Sequence, residues 1–287
     1  AFDYVRPRSL GEVHEALGRY GGDAKLLAGG QSLVPLLNFR LLRPAALIDI
    51  NRLPDLDIVD FDAVQGLRVG ALTRHRTLEV SPLVERHFPV IHAAMAHVAH
   101  LAVRNRGTIG GSLSHADPAA ELPMLALLLD AVLTVESASG RRMLAAREFF
   151  RGALTNALAE DEIVTAVRFP PLPEGAGWDF AECAQRAGDF AIAAVGAVLK
   201  VENGRIAEAR LALMGVDETP VRATAAEALL RGEAPRPELF STAAASARAA
   251  VSPNTDLRAS ADYRRHLVAV LTEQVLAGAW RRAAKEG

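Results

Sequence analysis

"KLLAGGQSLVPLL", Lys25 to Leu37, places a glycine pair and a polar pair between two apolar runs. A strand over residues 25–28, a turn at Gly29 and Gly30, and a helix entered at Ser32 account for that order. Ser is a favoured N-cap, and Pro35 is tolerated in a first helical turn. "ALIDINRL", Ala46 to Leu53, reads as the next strand, so the order is β-α-β and a small parallel sheet is expected. Upstream, Ser9 and Glu12 are spaced as a capping box for a helix over residues 10–20.

The glycine pair occurs a second time, in "RNRGTIGGSLSH" from Arg104 to His115. Residues without Cβ let a backbone approach a ligand closely, and successive N–H groups can point into one anion-binding concavity. One such loop suits a phosphate and two suit a pyrophosphate, hence a dinucleotide. The familiar nucleotide signatures are absent. Gly29 and Gly30 are adjacent and Leu33 stands where the third glycine of G-x-G-x-x-G would fall, so Asp49 reads as a polar residue at a strand end. No G-K-[ST] occurs either.

The rest of the chain is more β-rich at first. "LDIVDF", "LRVGALT", "AVLTVES", "GRRMLAA" and "EIVTAVRFP" read as strands of an antiparallel sheet, with helices expected over residues 90–103 and 121–129. "PPLPEGAGW", Pro170 to Trp178, is the best linker candidate. Asn203-Gly204 between apolar runs signals a hairpin with a type I′ turn. Helices are expected over residues 222–230, 237–249 and 262–284.

Composition excludes several classes. Of the 287 residues half are hydrophobic, enough for a sizeable core, and the net charge of −2 comes without any basic block, which argues against nucleic acid as a partner. No apolar run approaches the roughly 20 residues of a membrane span, and "AFDYVRPRSL" has no apolar signal core, so a cytoplasmic location is expected. Cys183 is the only cysteine, too few for the four or so thiolates of an iron–sulfur cluster. His92, His97 and His100 share an expected helix, but no carboxylate or thiolate lies near them in sequence, so they read as polar helix positions, not as a metal site. "SHAD", Ser114 to Asp117, holds triad residue types that cannot adopt triad geometry while contiguous, and G-x-S-x-G is absent. Arg104 and Arg106 suit either a phosphate or the end of the preceding helix.

"LLAGGQSLVPLLNFRLLRPAALIDINRL" and "RNRGTIGGSLSHADPAAELP", followed by "REFFRG", "DEIVTAVRFP", "QRAGDFAIAAVGAVL" and "SADYRRHLVAVL", resemble the FAD-binding medium subunit of molybdenum hydroxylases, the group of aerobic carbon monoxide dehydrogenase and the flavin portion of xanthine dehydrogenase. The resemblance covers essentially the whole chain. It implies an α+β fold: a two-lobed FAD-binding domain, with a small parallel α/β subdomain (1–55) and an antiparallel-sheet subdomain (56–172), then a C-terminal domain (175–287) of a three-stranded antiparallel sheet and a helical bundle. By similarity Ala28, Gly29, Gly30, Gln31 and Ser32 form the first pyrophosphate loop, with Leu33 opening the helix behind it. Thr108, Gly110, Gly111 and Ser112 form the second. Glu121 takes a position usually filled by Asp, Val98 lies behind the isoalloxazine, Val164 meets the ring edge, and Phe190 replaces a Tyr over the ring. Valine at Gly30 or Gly110 is expected to strip FAD and spare the fold.

The resemblance further implies an oxidoreductase subunit that takes electrons from an iron–sulfur small subunit carrying 2Fe-2S clusters and passes them to an external electron acceptor. A large subunit would hold the molybdenum cofactor, in a dimer of heterotrimers. The lone cysteine agrees, because the relay clusters must then come from a partner. The rival readings are a stand-alone FAD oxidase or dehydrogenase and a non-catalytic assembly subunit.

Overall fold

The computed structural model describes residues 2–284. Its first part runs β1 (Asp3–Val5), α1 (Leu10–Tyr20), β2 (Ala24–Leu27), α2 (Leu33–Asn38) and β3 (Ala46–Asp49). The three strands form a parallel sheet in the order β1-β3-β2. The central strand β3 is buried at every residue, which is why it is apolar up to Asp49, whose carboxylate is hydrogen-bonded by Tyr4 and Asn51. β1 was not anticipated: it has three residues, two of them exposed, and no alternation. On α1, Val13, Ala16 and Leu17 make the buried stripe. Ser9 Oγ accepts the Glu12 N–H at 3.2 Å, and the Glu12 carboxylate accepts the N–H of Arg8 at 2.7 Å, one residue before the usual capping-box donor. Ser32 precedes α2 but its side chain caps nothing.

The middle part comprises β4 (Val59–Asp62), β5 (Gly66–Gly70), α3 (His75–Val80), α4 (Pro82–His87), α5 (Pro89–Met95), α6 (Leu101–Arg104), α7 (Ile109–His115), α8 (Glu121–Leu128), β6 (Val132–Ser137), β7 (Gly140–Ala145), α9 (Ala146–Phe149), β8 (Phe150–Gly152), β9 (Thr155–Asn156) and β10 (Ile163–Phe169). Five strands make an antiparallel sheet, β4-β5-β10-β6-β7. The helix expected over residues 90–103 is two helices, α5 and α6, separated by a stretch in which Ala99 has φ +43°. The Arg104 guanidinium causes the break: it donates to the carbonyls of Val98 (3.0 Å) and Ala99 (2.9 Å) and pairs with Glu79 at 2.8 Å. The second glycine pair also differs from expectation, because Gly110 and Gly111 lie in the first turn of α7 and not in a loop.

The last part contains β11 (Gly177–Cys183), β12 (Ala193–Glu202), β13 (Arg205–Met214), β14 (Val221–Arg222), α10 (Thr224–Leu230), α11 (Pro237–Ala249) and α12 (Ala261–Ala283). Three long antiparallel strands carry a two-residue fourth, β14, at their edge. Asn203 (φ 51°) and Gly204 (φ 73°) turn the β12–β13 hairpin as their sequence required. Alternation along β12 divides the sheet between two cores. Ala193, Val195, Ala197 and Leu199 pack with α11 and α12, whereas Ala194 and Val198 join the core of the middle part. Between the two lies α8, buried at all eight residues and apolar on every side apart from Glu121.

Candidate functional site

A cavity of about 640 Å³ opens where the three parts meet, within the range of about 300–1,000 Å³ typical of small-molecule and cofactor sites. Ala28, Gly29, Gly30, Gln31, Ser32, Leu33, Val98, Thr108, Gly110, Gly111, Ser112, Glu121, Val164 and Phe190 all line it. Residues more than 150 positions apart in sequence thus share one wall.

The first glycine segment is the more open of the two. Gly29 is buried against the root of the second segment, and a Cβ there would strike the Arg106 carbonyl and the Gly107 backbone. Its lack of a side chain serves contact between chain segments. Gly30 has φ +74°, a value that favours glycine. Among the described residues, no group accepts a hydrogen bond from the N–H of Gly29, Gly30, Gln31, Ser32 or Leu33. A run of unused backbone donors therefore borders the cavity. The Gln31 side chain folds back and donates to the Gly29 carbonyl at 2.9 Å.

The second segment is arranged differently. The N–H groups of Ile109, Gly110, Gly111 and Ser112 are taken by Thr73 O, Ala71 O, Thr108 Oγ1 and Thr108 O respectively, at 2.9 to 3.1 Å. Ser112 and Ser114 line the cavity beside this spent backbone. A Cβ on Gly110 would run into Ala71, so the valine expectation for Gly110 is corrected: that glycine seats α7 on the end of β5. Among the described residues, Lys25 is the only strongly basic one that lines the cavity, and no arginine does. An anion in this cavity would meet backbone dipoles more than side-chain charge.

The other end is apolar, with Val98, Ala99, Val103, Val164 and Phe190. Val98 arrives through the break between α5 and α6, and Val164 through an irregularity in the β10–β6 pairing. Phe190 is 48% exposed and lies under the Arg258 guanidinium, 5.8 Å from its centroid, which rules out a core-aromatic role. Glu121 is almost fully buried. Burial raises its carboxyl to about 7, its own backbone N–H opposes this, and Asp117 adds to it. Behind it, the Glu182 carboxyl is raised to about 8, first by burial and then by the Glu121 charge; one oxygen lies 4.0 Å from His97 Nδ1 and has no hydrogen-bond partner.

His75 is the lining residue that sequence reasoning missed. It is buried, both ring nitrogens lack partners, and burial lowers its value to about 4, so the ring is neutral. Nothing in "TRHRT" marked it; only the bridge between Arg74 and Thr108 carries it to the wall. Other constellations resolve as structural. Arg104 holds the helix break, and Arg106 offers its carbonyl to Arg74. Asp49 accepts bonds from Tyr4 and Asn51 at the end of β3. His97 faces Glu182 and Phe180, while His100 packs against Gly188; no metal-ligating cluster occurs among the described residues.

Known proteins share this arrangement. Residues 1–172 match the family profile of the FAD binding domain in molybdopterin dehydrogenase, and residues 178–279 that of the CO dehydrogenase flavoprotein C-terminal domain. The 6-hydroxypseudooxynicotine dehydrogenase complex subunit alpha of Paenarthrobacter nicotinovorans is 39% identical, over 99% of this chain and 96% of its own. The carbon monoxide dehydrogenase medium chain of Hydrogenophaga pseudoflava is 36% identical, over 99% and 98%. Among solved structures, carbon monoxide dehydrogenase from Hydrogenophaga pseudoflava superposes with a TM-score of 0.95 at 38% identity, covering 98% of each chain. Quinoline 2-oxidoreductase from Pseudomonas putida 86 gives 0.94 at 38% identity, over 99% and 98%.

The chain therefore belongs to the FAD-binding medium subunits of molybdenum hydroxylases. It is an oxidoreductase subunit and its cofactor is FAD. The residues present fit that group: the unused N–H groups of the first loop suit a diphosphate, and the orphaned His75 nitrogens lie in the same wall.

Proposed function

We propose that this chain is the flavin-carrying electron-transfer subunit of a heterotrimeric molybdenum hydroxylase. It takes electrons from an iron–sulfur small subunit and hands them to an external acceptor, while a molybdenum-bearing large subunit oxidises the substrate. Two such heterotrimers would pair, in the cytoplasm. Three units, 1–55, 56–172 and 175–287, would enclose the cofactor between them. Bound FAD supplies reversible redox chemistry, and the protein's task is binding, orientation and electrostatics.

In this reading the N–H groups of residues 29–33 hold the diphosphate, aided by the hydroxyls of Thr108, Ser112 and Ser114. Val98, Val164 and Phe190 flank the ring, with Glu121 beside it. Similar chains belong to proteins named for carbon monoxide, caffeine and 6-hydroxypseudooxynicotine. One flavin subunit design thus accompanies unlike substrates, and we assign substrate choice to the large subunit.

The observation that carries this proposal is the run of unpartnered backbone donors on a cavity shared by all three parts. The test is to purify the chain alone, reconstitute it with FAD, and record its visible spectrum and its turnover on candidate reductants. A one-to-one flavin spectrum with negligible turnover, which rises when the partner subunits are added, is expected. Turnover without partners would support a stand-alone oxidase, and a chain that takes up no flavin would support an assembly subunit.

A further inference from the structure

Two residues outside the cavity lining tie the glycine segments together. Asn51, just past β3, donates through Nδ2 to the carbonyls of Ala28 at 2.8 Å and Leu27 at 3.2 Å. Its Oδ1 accepts from Arg74 Nη2 at 2.7 Å, and the other guanidinium nitrogen of Arg74 donates to the Arg106 carbonyl at 2.5 Å. Three acceptors around Nδ2 and an arginine donor at Oδ1 leave one assignment of the amide. Arg74 is itself fixed to the second segment: His75 N–H donates to Gly107 O at 2.9 Å, and Ile109 N–H donates to Thr73 O at 3.0 Å.

The geometry of a peptide group converts these bonds into an aiming device. In a planar trans peptide the C=O and the following N–H point in opposite directions. With the Ala28 carbonyl drawn to Asn51, the Gly29 N–H is turned the other way; Gln31 does the same for the Gly30 N–H by holding the Gly29 carbonyl. The Arg106 carbonyl, bonded by Arg74, is also the atom that Gly29 abuts. The path Ala28–Asn51–Arg74–Arg106 therefore sets both the direction of the donors and the separation of the two segments.

We propose that Asn51 and Arg74 are positioning residues for the diphosphate of the cofactor, acting as one relay that aims the first loop and locks it to the second. This rests on the FAD reading above. Neither residue touches the ligand; each acts through carbonyls that it bonds.

The test uses the full chain, stripped of flavin and titrated with FAD, with ADP as a displacing probe that carries a diphosphate and no flavin. Asn51→Ser is the sharpest variant. It removes the amide that reaches the Ala28 and Leu27 carbonyls and the acceptor for Arg74, without setting a new charge against Asp49. Arg74→Met cuts the other half, and the double variant joins them. Each single change is expected to weaken FAD and ADP alike, by about tenfold to a hundredfold. The double variant is expected to be no weaker than the worse single, since the relay is already broken. The melting temperature of the flavin-free chain provides the structural control, and the loss of affinity in Asn51→Ser should exceed what its change in melting temperature accounts for. Affinities within twofold of the unmodified chain would overturn the proposal, as would weakened FAD with unaltered ADP, or additive losses that follow the melting temperature. An unmodified chain that binds neither FAD nor ADP would instead bring down the FAD reading, and the relay with it.

Discussion

Gly110 shows how a glycine that lines a ligand-sized cavity can owe its place to packing. Its bare Cα rests on Ala71, and a methyl there would need room that backbone atoms occupy. Gly110→Ala should therefore cost about 1–3 kcal/mol of stability through overpacking, with FAD per folded molecule unchanged. Calorimetry and the ratio of flavin to protein absorbance check this together. Glu182 offers a second prediction at this scale. Its native carboxyl is raised from the ordinary 4.5 to about 8, and Glu121 to about 7, so the folded chain binds protons that the unfolded chain releases. That stability is fully present below about pH 4.5 and drains away as pH rises through 7 to 8. Glu182→Gln should flatten the decline of melting temperature between pH 5 and 8, by the equivalent of about 1–3 kcal/mol at the alkaline end. A profile that stays as steep as before would show that Glu182 carries its charge in the native state.

The interruption between α5 and α6 is the element that most shapes the apolar end of the cavity. "AAMAHVAHLAV" is good helix sequence, and no proline or glycine interrupts it. The chain bends because Arg104 offers two carbonyls a charged donor while Glu79 neutralises it. Arg104→Met removes both and leaves Glu79 half-buried beside Arg76 alone. A loss of about 2–4 kcal/mol is expected, together with weaker flavin binding, because Val98 hangs on the bent segment. Denaturant melts and FAD titration of the same variant check the two effects. α8 is a simpler case: a helix was expected there, and the structure buries all eight of its residues against the β12–β13 sheet and neighbouring helices.

At the scale of the molecule, the cavity belongs to no single part. Its walls come from the parallel sheet's loop, from α7, β10 and the α5–α6 bend, and from the Gly188–Phe190 turn of the last part. A ligand held there binds only when all three are assembled, so it must stabilise the assembly. At a hundredfold excess over its Kd, FAD should add about 2.7 kcal/mol, seen as a melting temperature that climbs by several degrees with FAD concentration. A melting temperature indifferent to FAD would place the flavin outside the junction of the three parts. Among the described residues no helix is long and apolar enough to cross a membrane, in line with the absence of any such run in the sequence.

The local features were legible because their causes are local. The capping residues of α1, the Asn-Gly turn of the β12–β13 hairpin and the apolar start of β3 each follow from neighbours along the chain. The sequence by itself thus determined the α+β character, most of the elements and the family. Contacts between distant residues decided what remained. Arg104 split a helix, Ala71 gave Gly110 its role, the bridge to Thr108 delivered His75, and Asn51 with Arg74 joined segments far apart in sequence. Each of these depends on hydrogen bonding or exclusion between atoms that only folding brings together, and no local propensity encodes it.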